Sequence, residues 1–158
     1  MQGLTNQNIR VTKVFTFDMA HALFGYDGPC KNIHGHTYEL SVTLKGKVLQ
    51  ENNHPKDGMV IDFTDFKHII KTEIIDVFDH ALVLNANSAH AHLKGLDEQF
   101  EKINYVPYQP SCENLVVDFL QRIQHKFSSN IEITTIKLYE TPTSYAEWNL
   151  NDNLVSNQ

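Results

Sequence analysis

The sequence predicts an α+β domain in which four antiparallel strands form one sheet and two helices cover one face of it. Four segments show the alternation of apolar and polar residues that is typical of half-buried strands. Two others show apolar residues at the three- and four-residue spacing of a helix face. The order is strand, strand, helix, helix, strand, strand. With 158 residues, we expect a single domain over residues 1–158 that buries roughly 70% of its unfolded surface.

The first two strands are predicted at residues 9–19 and 38–44. In the first, the apolar side chains fall mainly on odd-numbered positions, and Lys13 and Val14 interrupt this order, so a bulge is expected there. In the second, the apolar side chains fall on even-numbered positions. We expect the two strands to form an antiparallel pair.

The two helices have clear N-terminal signals. Asp62 is the predicted N-cap of the first helix, which we expect to end between residues 76 and 80. Ser111 is the predicted N-cap of the second. The apolar positions of the second helix are Leu115, Val116, Phe119, Leu120 and Ile123.

Residues 85–109 are polar and without a regular period, and we expect a long loop. His90 and His92 share the spacing of a metal-binding pair. No alternating strand flanks them, and no third ligand stands in a comparable context. A loop or short turn is therefore favoured over a second metal site.

The last two strands are predicted at residues 131–140 and 144–150, joined as a hairpin across Thr141, Pro142 and Thr143. A four-stranded sheet has two edges with unpaired backbone groups. Association with other copies of the chain would cover them.

Composition excludes several classes of protein. A formal net charge of −6 argues against a nucleic-acid partner, which requires a basic surface. The chain has no apolar run near the length of a membrane span, and its polar start, MQGLTNQN, does not resemble a signal peptide. The two cysteines, Cys30 and Cys112, make no disulfide framework, so we expect a protein of the reducing cytoplasm.

The candidate site lies in residues 15–38, which contain His21, Cys30, His34 and His36. His34 and His36 are two positions apart and would project from the same face of a strand. If the first two strands are neighbours, His21 joins them. Three histidines are the set that zinc takes when a fourth position stays open for water or substrate, whereas structural zinc has four protein ligands.

Cys30 separates these two kinds of site. As a ligand, it would complete a closed structural site. As a thiol outside the coordination sphere, it would be a base or nucleophile beside an open metal. The preceding loop, residues 25–29, favours the second interpretation because it lets Cys30 stand away from the strand ends, but the sequence leaves both open.

These residues resemble the signature of the 6-pyruvoyl-tetrahydropterin synthase family. The matching positions are Phe17, Ala20, His21, Cys30, His34, Gly35, His36 and Tyr38. The short gap between Cys30 and His34 is similar to that of the bacterial 6-carboxy-tetrahydropterin synthase branch. The resemblance extends to Asp79–His80, to Pro110, Ser111, Glu113 and Asn114, and to Glu140–Thr141. Cys112 stands where relatives often have Thr, which puts a hydroxyl contact to substrate in doubt.

The resemblance implies roles for these residues. His21, His34 and His36 would bind zinc, Cys30 and the Asp79–His80 pair would move protons, and Glu140 would anchor the pterin ring. Glu113 would bind substrate, although an acid in a first helical turn also simply complements the helix dipole. Asp79–His80 alone would be an ordinary helix end.

The same resemblance implies a tunnelling fold, in which trimers close a twelve-stranded barrel and two trimers form a hexamer with active sites between subunits. It implies conversion of 7,8-dihydroneopterin triphosphate to 6-carboxy-5,6,7,8-tetrahydropterin, with release of acetaldehyde and triphosphate, for queuosine synthesis. The acidic net charge fits this substrate poorly, so local cations such as Lys31 or a neighbouring subunit would hold the phosphates.

Three alternatives remain from the sequence. The chain could make 6-pyruvoyl-tetrahydropterin for biopterin synthesis, although the short gap after Cys30 argues mildly against this. It could be a module whose zinc is purely structural. It could also be a pterin-binding assembly component without catalysis, which the presence of Cys30, Asp79, His80 and Glu140 disfavours.

Overall fold

A computed structural model describes residues 7–154 of the chain. The remaining residues, 1–6 and 155–158, include most of the polar start noted above and the ends of the predicted domain, which therefore lie outside the described part. None of the helices in residues 7–154 is long and apolar enough to cross a membrane.

One sheet organises the described residues, and it has six strands where four were predicted. They are β1 (Asn8–His21), β2 (His34–Lys47), β3 (Ala81–Asn85), β4 (Ile103–Val106), β5 (Ile131–Thr141) and β6 (Ser144–Asn149). Their order across the sheet is β4-β3-β1-β2-β5-β6. The four predicted strands are present and antiparallel, while β3 and β4 add a parallel extension beside β1.

The two additional strands escaped prediction for physical reasons. In β3, residues 81–84 are all buried, so the segment lacks the alternation of a half-buried strand. In β4, four residues are too few for a period to be recognised in a polar segment. The expectation of one long loop over residues 85–109 is therefore wrong, because the segment holds β4, the helix α3 (Leu96–Gln99) and a 3₁₀ turn (Ala89–His92).

The bulge expected at Lys13 and Val14 is also absent, since β1 pairs with β2 without interruption. The register shifts instead between Thr43 and Leu44, where β2 meets β5. Val14 simply faces solvent on the uncovered face of the sheet and is 53% exposed.

The predicted helices are confirmed with their caps. The first begins as α1 (Phe63–Ile70), passes through a π-helical turn (Lys71–Ile75) and ends as α2 (Asp76–Phe78). Asp62 accepts a hydrogen bond from the Thr64 N–H at 2.7 Å. The second helix is α4 (Cys112–Ile123), and Ser111 caps it.

Both helices pack against the same face of the sheet. The buried core joins strand residues with residues of both helices, among them Phe17, Tyr38, Leu40, Phe66, Phe78 and Phe119. Tyr38 and Phe17 lie opposite each other on β2 and β1, and their rings stack with centroids 5.4 Å apart. The core continues along these two strands toward the histidines, so packed aromatic residues hold the strand ends that carry the candidate site.

Candidate metal and substrate site

Three histidine side chains converge where β1 ends and β2 begins. His21 is the cross-strand partner of His34, and His36 is the partner of Met19. Because residues two apart on a strand share a face, His34 and His36 both point to the side of His21. One nitrogen of each ring lies within 4.8 Å of the other two. The predicted convergence is confirmed, and within residues 7–154 this is the sole such group of His, Cys, Asp and Glu side chains.

The distal nitrogens of two rings are engaged by backbone carbonyls. His21 Nδ1 lies 2.7 Å from the Pro110 carbonyl oxygen, and His34 Nδ1 lies 2.8 Å from that of Asn32. A carbonyl can only accept, so each Nδ1 carries the proton and each Nε2 offers its lone pair to the centre. The two Nε2 atoms are 3.1 Å apart. This is the tautomer that a metal ligand requires.

The third ring has an unsatisfied polar atom. His36 Nε2 is buried and has no hydrogen-bond partner, which is costly in a protein interior. The His36 ring belongs to the same cluster as the other two, and its Nε2 lies 3.9 Å from Glu140 Oε1, the oxygen that is 3.5 Å from His21 Nε2. A cation at the centre would satisfy it, so the donor set fits a metal ion.

Burial also sets the protonation of these rings. The pKa of His21 and the pKa of His36 are lowered from the ordinary value, chiefly because burial disfavours the charged imidazolium. The nearby Glu140 carboxylate acts in the opposite direction on both pKa values but does not prevail. Near neutral pH the two rings are therefore neutral and able to bind a metal.

Glu140 lies beside the cluster, at the end of β5. Its Oε1 is 3.5 Å from His21 Nε2 and 3.9 Å from His36 Nε2. Tyr38 donates its hydroxyl to the same oxygen at 3.3 Å, and burial raises the pKa of Tyr38, which keeps it a donor. This contact could not be predicted from the sequence, because it depends on the register of β5 on β2.

Cys30 stands outside the histidine cluster, on a 3₁₀ turn (Pro29–Lys31). It lines a cleft of about 270 Å³ together with Glu113, Glu140, Ser144 and Tyr145. The three residues predicted from the sequence to act on substrate in this region, Cys30, Glu113 and Glu140, are thus brought together. Cys112 borders the same cleft, but burial raises the pKa of its thiol to about 11, so it is a poor proton-transfer group near neutral pH.

Asp79 and His80 lie on a different part of the protein surface from Cys30. His80 Nδ1 is 3.0 Å from Asp79 Oδ1, so the pair has the geometry of a carboxylate-oriented imidazole. The pair borders a second cleft, of about 970 Å³, with Asp18, Ala20 and Thr37, and His36 of the histidine cluster also lines this second cleft. Asp18, Ala20 and Thr37 lie on the face of the sheet opposite to that of the histidine cluster. A single chain therefore does not place His80 in the cleft that contains Cys30.

Within the described residues, His90 and His92 belong to no group of three or more possible metal ligands. They occupy the 3₁₀ turn before α3. The His90 ring packs edge-on against Phe24, with centroids 5.4 Å apart. Lys31, a candidate for phosphate contact, is exposed.

Comparison with known proteins gives consistent results. Residues 10–151 match the model of the 6-pyruvoyl tetrahydropterin synthase family. The chain is 37% identical to the 6-carboxy-5,6,7,8-tetrahydropterin synthase of Haemophilus influenzae over 141 residues, which covers 88% of this chain and 97% of that protein. It is 31% identical to the enzyme of the same name from Rickettsia bellii, covering 88% and 99% of the two chains.

Solved structures agree on the fold. An uncharacterized protein of Wolinella succinogenes aligns with a TM-score of 0.71 at 19% identity, covering 92% of this chain and 99% of that one. The 6-pyruvoyl tetrahydropterin synthase of Plasmodium falciparum aligns with a TM-score of 0.67 at 22% identity, covering 90% and 98%. At such identities the likeness concerns the α+β architecture alone.

Proposed function

The chain belongs to the 6-pyruvoyl tetrahydropterin synthase family, and from that premise we propose that it is a 6-carboxy-5,6,7,8-tetrahydropterin synthase. The substrate is 7,8-dihydroneopterin triphosphate, and the co-products are acetaldehyde and triphosphate. The product is a precursor of queuosine. The observation that carries the proposal is the cluster of three imidazoles, two of them oriented by carbonyls, beside a cleft with a thiol and two carboxylates.

Zinc is the metal we propose for the three histidines. The donor set consists of three imidazoles, with one nitrogen of each ring within 4.8 Å of the other two, a set that zinc accepts in open catalytic sites. When bound, zinc acts as a Lewis acid that polarises substrate oxygens and lowers the pKa of hydroxyl groups. The cleft that contains Cys30 adjoins the cluster through Glu140, whose Oε1 lies 3.5 Å from His21 Nε2.

Protein groups then bind the substrate and move its protons. Glu140, at the end of β5, accepts two parallel N–H bonds from the amino-pyrimidine edge of the pterin, and Glu113 adds a second carboxylate on the same cleft. Cys30 exchanges a proton at the side chain of the substrate from one face. His80, held by Asp79, serves the opposite face.

If Cys30 and His80 act on the same substrate molecule, the active site requires more than one copy of the chain. His80 and Cys30 border different clefts in one chain, and β4 and β6 are the edges of the sheet. We propose that neighbouring copies cover these edges in a hexamer built from two trimers, and that His80 of one copy faces the cleft of another. Each active site would then lie between subunits.

Product identification tests the proposed function. Purified zinc-loaded protein is incubated with 7,8-dihydroneopterin triphosphate, and the products are identified by mass. The expected products are 6-carboxy-5,6,7,8-tetrahydropterin and acetaldehyde. Accumulation of 6-pyruvoyl-tetrahydropterin would assign the chain to the pyruvoyl reaction of biopterin synthesis instead, and an unchanged substrate would refute both activities.

A further inference from the structure

The helix that precedes His80 ends in a demanding backbone conformation. α2 ends at Phe78, and His80 has a positive φ of 58°, which non-glycine residues adopt only when neighbouring contacts hold them there. The last carbonyls of a helix have no partner within the helix and must find one outside it. The orientation of the Asp79–His80 pair thus depends on what binds these carbonyls.

Lys102, just before β4, supplies that binding. Its ammonium donates to the Asp76 carbonyl at 2.8 Å and to the Asp79 carbonyl at 2.7 Å. The second bond fixes the peptide group that joins Asp79 to His80. A cation at this end of a helix is also favoured by the helix dipole.

The backbone of Lys102 holds the other side of His80. Its carbonyl accepts the Leu82 N–H at 2.9 Å, where β3 pairs with β4. Two positions further on, the Asn104 side-chain amide donates to the Val77 carbonyl at 2.8 Å. Residues 102–104 therefore bind the chain both before and after His80.

The opposite side of the pair is held by β1. Asp18 donates its backbone N–H to Asp79 Oδ1 at 3.1 Å, and the His80 N–H donates to the Asp18 carbonyl at 2.7 Å. These contacts fix the carboxylate and one end of His80, but they leave the Asp79 carbonyl to Lys102. The pair is clamped between Asp18 and Lys102.

We propose that Lys102 is a positioning residue that sets the geometry of the Asp79–His80 proton shuttle. Lys102 stands just before β4, so the 85–109 segment would contribute to the active site by holding this pair in place. The inference rests on the proposed function for its effect on turnover. Lys102 lines the same cleft as His80, but both acceptors that its ammonium reaches are backbone carbonyls, those of Asp76 and Asp79. It acts by holding the peptide group between Asp79 and His80.

Kinetics of three variants test this inference. Lys102→Met removes the ammonium, Lys102→Arg keeps donors at the same place, and Lys67→Met removes an exposed lysine of α1 as the matched control. We expect Lys102→Met to lower kcat about tenfold while KM and zinc content stay within a factor of two of wild type. Lys102→Arg should recover at least part of the loss, and Lys67→Met should equal wild type.

A double variant separates positioning from general weakening of the fold. If Lys102 acts through His80, Lys102→Met should have no further effect on the residual turnover of His80→Ala, since coupled residues are not additive. An equal tenfold loss in both backgrounds would overturn the inference. So would an unchanged kcat in Lys102→Met.

The ring nitrogens of His80 give a readout that needs no turnover. In wild type, the ¹⁵N shift of Nδ1 should show the hydrogen bond to Asp79, and in Lys102→Met it should move toward that of the exposed His125. Identical His80 shifts in the two proteins would overturn the inference. A wild-type protein that makes no carboxypterin would refute the proposed function alone, and the shifts would still decide the role of Lys102.

Discussion

Replacing His36 by leucine should stabilise the metal-free protein and abolish the benefit of zinc. His36 Nε2 is buried without a hydrogen-bond partner, and such an atom costs about 1–3 kcal/mol. Because the side chain is 21% exposed, the lower half of that range, about 1–2 kcal/mol, is the expected gain. For a domain of this size that gain corresponds to a rise in Tm of about 2–8 °C.

Zinc should reverse the order of stability of wild type and His36→Leu. At free zinc about a thousandfold above its Kd, wild type gains roughly 4 kcal/mol, whereas His36→Leu has lost one of three ligands and gains little. Thermal unfolding is measured at one protein concentration with chelator and then with zinc. We expect the variant to melt above wild type in chelator and below it in zinc.

His68→Leu is the matched control, since His68 is exposed on α1. It should stay within about 0.5 kcal/mol of wild type in both conditions. Two results would refute the reasoning: a His36→Leu protein that is less stable than wild type in chelator, or one that gains as much stability from zinc as wild type does.

Three further predictions concern the same site. Cys30→Ala should keep its full zinc content, measured by elemental analysis, and lose at least about a hundredfold in turnover; loss of zinc would instead make Cys30 a ligand. Because burial lowers the pKa of His21 and the pKa of His36, the folded state of the metal-free protein binds fewer protons than the unfolded one. Its stability should therefore be complete above about pH 6.5 and fall as the pH drops below that value, and a flat profile of chelated protein between pH 7.5 and 5.5 would contradict this. Glu140→Gln should raise KM about tenfold or more by weakening two charged hydrogen bonds to the pterin. The control Glu147→Gln, on the same hairpin, should leave KM unchanged. Equal KM values for Glu140→Gln and wild type would argue against Glu140 as the residue that anchors the pterin.

Local patterns were sufficient to predict the parts of the fold that are half-buried. Alternation located β1, β2, β5 and β6, and capping residues located both helix starts. The two-residue spacing of His34 and His36 predicted that these rings share a strand face. Pairing of β1 with β2 then brought in His21, as expected.

Strands that are buried on both faces, and contacts that depend on strand register, could not be predicted from the sequence. β3 is buried on both faces and shows no period. The contact of Tyr38 with Glu140 requires β5 to sit on β2 with a shift after Thr43, and a shift of one residue leaves no mark on composition. Lys102 belongs to the polar segment for which the sequence predicts a loop, so its hydrogen bonds to the end of the first helix are evident only from the structure.

X-ray absorption at the zinc edge tests the central claim most directly, because it reports which atoms bind the metal in the zinc-loaded protein. The account predicts a shell of nitrogen and oxygen neighbours at about 2.0–2.2 Å, with the imidazole pattern of three histidines. A sulfur neighbour at about 2.3 Å would place Cys30 on the metal and contradict it.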